Sequence, residues 1–332
     1  MKKCNECGAE LAEGAVFDSG TRTPGGYCAN PGTPGKMREE TTVEQIRTFM
    51  AELFSEAESN YARCGLATKR CILGESPFFD ERTGVLSFVD IMAHEFCMIR
   101  KDGSCSVQNV GQMVGAAVPA DEAGTYLLAM TDGLYLFDGK KTDTKKLFDL
   151  TDVYEPYRRS NDAKRDPAGR LFFGSSTWDS AYEAGGNLYC YDNGSVKILQ
   201  KNTKISNGMA WTKDNKTFLF SDSLEHCVFS YDYDIASGTI SDRRVLFRVD
   251  DGVPDGMCID RDDNIWVAVW GGRRIECHRA TDGVLRAVIN VPAEQVSSCC
   301  FYGADQDTLF ITSAGENISG KYDGRLFSCK VQ

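Results

Sequence analysis

Histidine is scarce in this 332-residue chain: there are three, His94, His226 and His278, and they follow no metal-ligand spacing. A histidine-ligated zinc hydrolase is excluded on that ground, and no H-E-x-x-H helix motif contradicts it. G-x-S-x-G, the Walker loop and G-x-G-x-x-G are missing too, which removes a serine hydrolase elbow and the common phosphate cradles. Long apolar runs are absent: stretches such as Tyr126 to Met130 are strand-sized, far short of the roughly 20 residues that cross a bilayer as a helix. Positive charge is in deficit, with 37 Lys and Arg against 48 Asp and Glu for a formal net charge of −11. That balance argues against the phosphate backbone of nucleic acids as a partner and favours a cation or a neutral small molecule. Cysteine, by contrast, is plentiful at fourteen, yet Met1-Lys2-Lys3-Cys4 leads into no apolar signal segment. Reduced thiols in the cytoplasm are the expectation.

What is present is a repeat. An Asp, a short polar or glycine-bearing turn and a β-type apolar run recur at Asp80, Asp121, Asp166, Asp214, Asp260 and Asp305, with spacings of 41, 45, 48, 46 and 45 residues. A period near 45 without helical periodicity is that of a four-stranded propeller blade. Second strands ending in Asp, Asn or Gly follow each anchor, as in Gly186 to Asp192, which is hairpin chemistry. Six anchors predict an all-β, six-bladed β-propeller over 66–332, closed by Leu66 to Leu73 pairing with the sheet that contains Arg325 to Lys330.

Residues 1–65 read as a small extension. A helix over about 41–62 is predicted from the Thr41 to Glu44 capping box and a stripe of Val43, Ile46, Met50, Leu53, Phe54, Ala57 and Tyr61. Its role would be to pack outside the propeller or to join two copies, so the chain is expected as a monomer or a homodimer through this helix. Ahead of it, Cys4-x-x-Cys7-Gly8 looks like one knuckle of a zinc ribbon, and Cys28 stands in a second knuckle whose other cysteine is replaced. Cys4, Cys7 and Cys28 are therefore candidates for a structural zinc in a degenerate ribbon. The remaining cysteines, among them Cys190, Cys258, Cys299 and Cys300, alternate with strand hydrophobes as small core residues.

Polar residues sit just upstream of four anchors: Glu75, Asn161, Asn207 and Asp255. Successive blades are related by rotation about one axis, so equivalent positions at the start of the innermost strands converge on one channel. The second blade offers Ala116 there. Asn207-Gly208 or Asp255-Gly256 alone would read as a turn, but the shared register across four blades favours a site. Carboxylate and amide oxygens without nitrogen or sulfur suit a hard divalent cation.

These residues carry a resemblance. Gly74-Glu75-Ser76-Pro77, Phe88-Val89-Asp90-Ile91, Arg159-Ser160-Asn161-Asp162 followed by Asp166-Pro167-Ala168-Gly169-Arg170, Ile205-Ser206-Asn207-Gly208, Pro254-Asp255-Gly256-Met257 and Ser298-Cys299-Cys300-Phe301 resemble the regucalcin (senescence marker protein), gluconolactonase and luciferin-regenerating enzyme family over roughly residues 67–332. The resemblance implies a six-bladed propeller and a metal-dependent lactonase acting on a sugar lactone. It implies Glu75, Asn207 and Asp255 as ligands of one divalent cation, Ca²⁺ first, with Zn²⁺, Mn²⁺ or Mg²⁺ as alternatives. Asp255 would also be the catalytic base, and Arg159, Asn161 and Asp179 the substrate contacts. Two other functions fit the same residues: a phosphotriesterase or esterase using the same oxygen shell, and a non-catalytic calcium-binding or ligand-sensing propeller. The pairing of Arg159 with Asn161 favours the enzyme, because cation binding alone needs no guanidinium.

Overall fold

The computed structural model describes residues 69–331, apart from 140–143, 180, 181, 184, 304 and 305, together with three two-residue strands nearer the N-terminus. Two compact units are distinguished, Met1–Met37 and Arg38–Gln332. In the first, Lys2–Lys3 pairs antiparallel with Glu10–Leu11. Cys4, Cys7 and Cys28, and the predicted helix from residue 42 onward, lie outside the described residues. The two described residues at the start of that expected helix, Glu40–Thr41, are strand instead and run parallel to Val288 and Ile289. The reason is an outermost strand whose free N–H and C=O row accepts another backbone.

The second unit is all-β, with a single three-residue 3₁₀ turn at Ser223–Glu225 as its helical element among the described residues. Its strands form successive antiparallel meanders. Sheet 1 holds Gly74–Asp80, Val85–Asp90, Glu95–Ile99 and Cys105–Asn109. Sheet 2 runs from Val114–Pro119 to Thr144–Asp149, sheet 3 from Arg158–Arg165 to Ser195–Thr203, and sheet 4 from Ser206–Trp211 to Thr239–Arg248. Sheet 5 runs from Val253–Ile259 to Leu285–Asn290. It is joined through the single pair Trp270 and Gln295 to sheet 6, which comprises Gln295–Tyr302, Thr308–Ala314 and Phe327–Lys330.

The Asp anchors are the first hairpins. Asp80, Asp166, Asp214 and Asp260 each accept a backbone N–H from two residues on, at 2.9–3.1 Å, closing the turn between the first and second strand. The first strand of each sheet lies against the first strand of the next, and Gln295–Tyr302 returns to Gly74–Asp80, so the first strands close a ring.

The hydrophobic core is divided accordingly. Each cluster of buried side chains sits between one sheet and its neighbour, such as Phe172, Leu188, Met209 and Phe218 between sheets 3 and 4, or Cys71, Phe88, Cys300 and Phe310 between sheets 6 and 1. Consecutive residues face opposite interfaces: Cys299 enters the core with sheet 5, Cys300 the core with sheet 1. Serine hydroxyls add bonds across the interfaces, with Ser160 donating to the Met130 carbonyl and Ser297 to that of Gly74.

Closure uses the segment before the first strand. Leu66 to Thr68 lie outside the described residues, but Leu73 bridges to Ala314 in the sheet that also holds Phe327–Lys330, and Cys71 donates its N–H to the Gly324 carbonyl at 2.8 Å. Asp90 accepts the N–H groups of Ile72 and Leu73, both at 3.0 Å.

The ring is tight enough to dictate glycine. A Cβ on Gly208 would stand 2.6 Å from the Asp255 carbonyl oxygen and 2.7 Å from the Met257 nitrogen, backbone atoms of the neighbouring first strand. Asn207-Gly208 is thus mid-strand rather than a turn. Gly208→Ala is expected to destabilise the fold by about 2–3 kcal/mol, since main chain and not a flexible side chain must yield. Denaturant unfolding measures this; a change within 0.5 kcal/mol, roughly the scatter of neutral surface substitutions, would contradict the packing described.

Candidate active site

Every first strand carries an irregularity at the same height. In sheet 3, Asn161 and Asp162 together oppose Gly174, because Ser160 pairs with Ser175 and Ala163 with Phe173. Asn207 and Gly208 in sheet 4, and Asp255 and Gly256 in sheet 5, are the equivalent bulged pairs, and Glu75 immediately precedes the bulge of sheet 1. A bulge breaks the strict in-out alternation and re-aims side chains. Here it brings four expected residues, Glu75, Asn161, Asn207 and Asp255, into one buried polar group with Arg159. In sheet 2 the irregularity falls at Gly115, beside the apolar Ala116.

Hydrogen bonds run between sheets through this group. Arg159 Nη1 donates to Asn161 Oδ1 at 2.6 Å, Asn161 Nδ2 to Asn207 Oδ1 at 3.0 Å, and Asn207 Nδ2 to Ser223 Oγ at 2.9 Å. Ser223 Oγ donates onward to the Pro254 carbonyl at 2.8 Å, next to Asp255. Asn161 is thereby engaged at both ends of its amide, with Ser206 O as a further acceptor. Two polar atoms are buried without a hydrogen-bond partner: Asp255 Oδ1 and Arg159 Nε.

The electrostatics are those of crowded acids. Burial pushes the Glu75 carboxyl well above the usual range, and the nearby charges of Asp255 and Asp162 add to it, against smaller opposing effects of the Ser76 N–H and Arg159. Asp255 is raised by burial and by Asp162, opposed by the Gly256 N–H and Arg159. Asp162 is raised by burial, with Lys164 acting against it. Burial lowers the Arg159 guanidinium, which Glu75, Glu316 and Asp255 draw back up.

Among the described residues no three His, Cys, Asp or Glu side chains cluster as a metal-ligand set. The candidate set draws its third donor from an amide: Glu75, Asp255 and Asn207. It fits a hard divalent cation, because two desolvated carboxylates lack compensating charge and Asp255 Oδ1 has nothing to accept. Asn207 Oδ1 keeps a second lone pair beyond the one that Asn161 uses.

Asp179 is half-buried on the loop after Leu171–Thr177, where its carbonyl accepts the Tyr182 N–H at 3.0 Å. Four contributors were not foreseen. Asp162 occupies the bulge position that is glycine in sheets 4 and 5, and Asn-Asp beside Asn-Gly and Asp-Gly is the signal that marks it. Glu316 reaches Arg159 electrostatically from the loop after Thr308–Ala314. Asp90 and Asp222 end the second strands of sheets 1 and 4 and clamp the approach to Glu75 and Asn207, Asp222 by accepting the N–H groups of Lys204 and Ile205. An apolar run ending in Asp, as in Phe88-Val89-Asp90, is their signature.

With this geometry in view, residues 73–315 match the family described as SMP-30/Gluconolactonase/LRE-like region, and the chain belongs to that family. A regucalcin of Danio rerio is 34% identical over 251 residues, covering 73% of this chain and 83% of that protein. A Bacillus subtilis (strain 168) protein named "Putative sugar lactone lactonase YvrE" is 30% identical over 274 residues, covering 80% and 94%. Among solved structures, a calcium-binding protein, regucalcin, from Agrobacterium tumefaciens superposes with a TM-score of 0.74 at 26% identity, covering 79% of this chain and 90% or more of its own, at 91%. A luciferin-regenerating enzyme superposes with a TM-score of 0.72 at 29% identity, covering 78% and 90%.

Because their carboxyls are raised, Glu75 and Asp255 favour the fold below their unfolded values near 4 and oppose it increasingly as pH rises through the raised values. In EDTA, Glu75→Gln is therefore expected to be more stable than the parent at pH 7 by about 1–2 kcal/mol, with the difference vanishing toward pH 4. Thermal unfolding across that range checks it; a pH-independent difference would contradict the electrostatic picture.

Proposed function

We propose that the protein is a metal-dependent lactonase that hydrolyses a sugar lactone, an aldonolactone such as gluconolactone, on a six-bladed propeller whose blades are the six sheets described. The observation that carries the reading is the pair of unpartnered buried atoms: Asp255 Oδ1, an acceptor, and Arg159 Nε, a donor, in one polar group. Cation binding alone would call for the acceptor but not for the guanidinium. Family membership and the lactonase name of the Bacillus relative support the same reaction class.

Glu75, Asn207 and Asp255 would hold the divalent cation, Ca²⁺ being the natural choice for this all-oxygen set. When bound, the cation polarises the lactone carbonyl and stabilises the charge that develops on its oxygen. The protein's own side chains do the rest. Arg159 offers its Nε–H to a substrate oxygen, held by its bond to Asn161, so Asn161 orients the guanidinium from below. The carboxylate of Asp255 accepts the proton of the attacking water while the water oxygen bonds to the carbonyl carbon; the C–O bond of the ring then breaks and the proton passes to the departing ring oxygen, giving the free hydroxy acid. A carboxylate beside a cation is a weakened base, and burial with the charge of Asp162 acts in the other direction. Lactones are reactive esters and need no stronger base.

The test is proton release from D-glucono-δ-lactone, corrected for spontaneous hydrolysis. EDTA is expected to abolish the enzymatic rate and added Ca²⁺ to restore it. Asp255→Ala is expected to lower kcat by 10³ or more, of the order of losing the proton acceptor together with a cation ligand. Arg159→Ala is expected to raise KM about 10-fold or more, through loss of one charged hydrogen bond. Activity that survives both EDTA and Asp255→Ala would overturn the mechanism.

A further inference from the structure

The connections between second and third strands emerge at the end of the ring where the candidate site lies. In four sheets they are two to four residues long, but eight residues separate Thr177 from Gly186 in sheet 3 and twelve separate Ala314 from Phe327 in sheet 6. The longer of these carries Glu316. The sheet 3 loop carries Trp178 and Tyr182, and Tyr157 stands beside it just ahead of Arg158–Arg165.

These three are the exposed large aromatic side chains among the described residues, at 40%, 43% and 44% for Tyr157, Trp178 and Tyr182, and they touch one another. Tyr157 and Tyr182 stack with ring centres 3.7 Å apart and planes 18° from parallel, and Trp178 leans against Tyr157 at 6.0 Å. The arrangement is held from beneath. Trp178 donates its N–H to the Tyr157 carbonyl, Arg158 Nη1 bonds Thr177 Oγ1 at 2.7 Å, and Thr177 Oγ1 bonds the carbonyls of Glu183 and Gly185. Tyr157 has φ of +65°, a left-handed conformation that a bulky residue adopts only where its surroundings impose it. Exposed rings on a braced backbone are a preorganised binding surface, since little entropy is lost when a ligand lies on them.

Tyr157 is two residues from Arg159, an extended step of ~7 Å, about the width of one sugar ring. A single-ring lactone at Arg159 and Asp255 would leave the rings uncovered. Flat aromatic faces take the C–H face of a sugar, and the loop's carboxylates, Asp179 and the exposed Glu183, suit hydroxyl donors rather than an apolar group.

We propose that Tyr157, Trp178 and Tyr182 form an outer subsite that stacks the distal ring of an aldobionolactone, a lactone carrying a second sugar. This rests on the lactonase reading and names its substrate class. The subsite contributes binding and takes no part in bond breaking. The test compares glucono-δ-lactone with cellobiono-δ-lactone by proton release, and separately measures binding of cellobionate, the unreactive acid, by calorimetry. The parent protein is expected to show a KM at least 10-fold lower for the disaccharide lactone. Trp178→Ala should erase that difference with kcat and the glucono-δ-lactone KM unchanged, and Trp178→Phe should keep most of it. Equal KM values in the parent, or an equal loss on both lactones in Trp178→Ala, would overturn the subsite. Should neither lactone be hydrolysed, the lactonase reading fails and calorimetry decides the subsite on its own: cellobionate binding that Trp178→Ala abolishes supports it, and no binding by the parent overturns it.

Discussion

The structure depends on how closely the first strands approach one another. Main-chain atoms of neighbouring sheets lie so near at Gly208 that no β-carbon fits, and the same is true at Gly115 against the Ser160 and Asn161 carbonyls. Regular strands at that separation would alternate their side chains between the two adjoining interfaces, leaving none for the ring's interior. The irregularity in the first strands of sheets 3, 4 and 5 resolves the conflict: the extra residue takes up the crowding and turns one polar side chain inward. Packing and site are therefore one device. A change that relaxed the bulge would lose both.

Much of this was legible in the chain, for reasons that differ by element. The repeat stood out because an Asx turn needs its Asp at a fixed place, and Asp80, Asp166, Asp214 and Asp260 occupy it. Glu75, Asn161, Asn207 and Asp255 were legible because rotational symmetry turns a shared register into a shared location. Asp162 was not, since strand alternation assigns adjacent residues to opposite faces and only a bulge sets two together. Asp90 could be read as part of a motif but not as a clamp, because its partners, the N–H groups of Ile72 and Leu73, belong to backbone and leave no trace in side-chain chemistry. The expected closing segment meets its sheet at Leu73, which bridges to Ala314. Rings on loops, such as Trp178, have no period to betray them.

The site also stands in tension with the fold that carries it. The cores between sheets bury mainly Phe, Tyr and Cys side chains and no carboxylates, whereas the interior of the ring holds Glu75, Asp162 and Asp255 against one guanidinium. Removing three carboxyls from water costs stability that Arg159 alone does not return. The sheets supply what the ring consumes, and the imbalance is what the proposed cation would offset. Regions that look strained by this measure are where chemistry is expected.

The bonds that link Arg159, Asn161, Asn207, Ser223 and Pro254 have a sense of direction. A guanidinium can only donate and a carbonyl can only accept, so the two ends of the row are fixed by covalent chemistry. Each amide between them is left with one orientation, oxygen toward Arg159 and nitrogen away. The oxygen that Asn207 shows is thus decided on the neighbouring sheet, through Asn161, by the guanidinium of Arg159. Arg159 in this view is a polarity reference for the whole row, and an asparagine at position 207 keeps its oxygen aimed only as long as that reference stands.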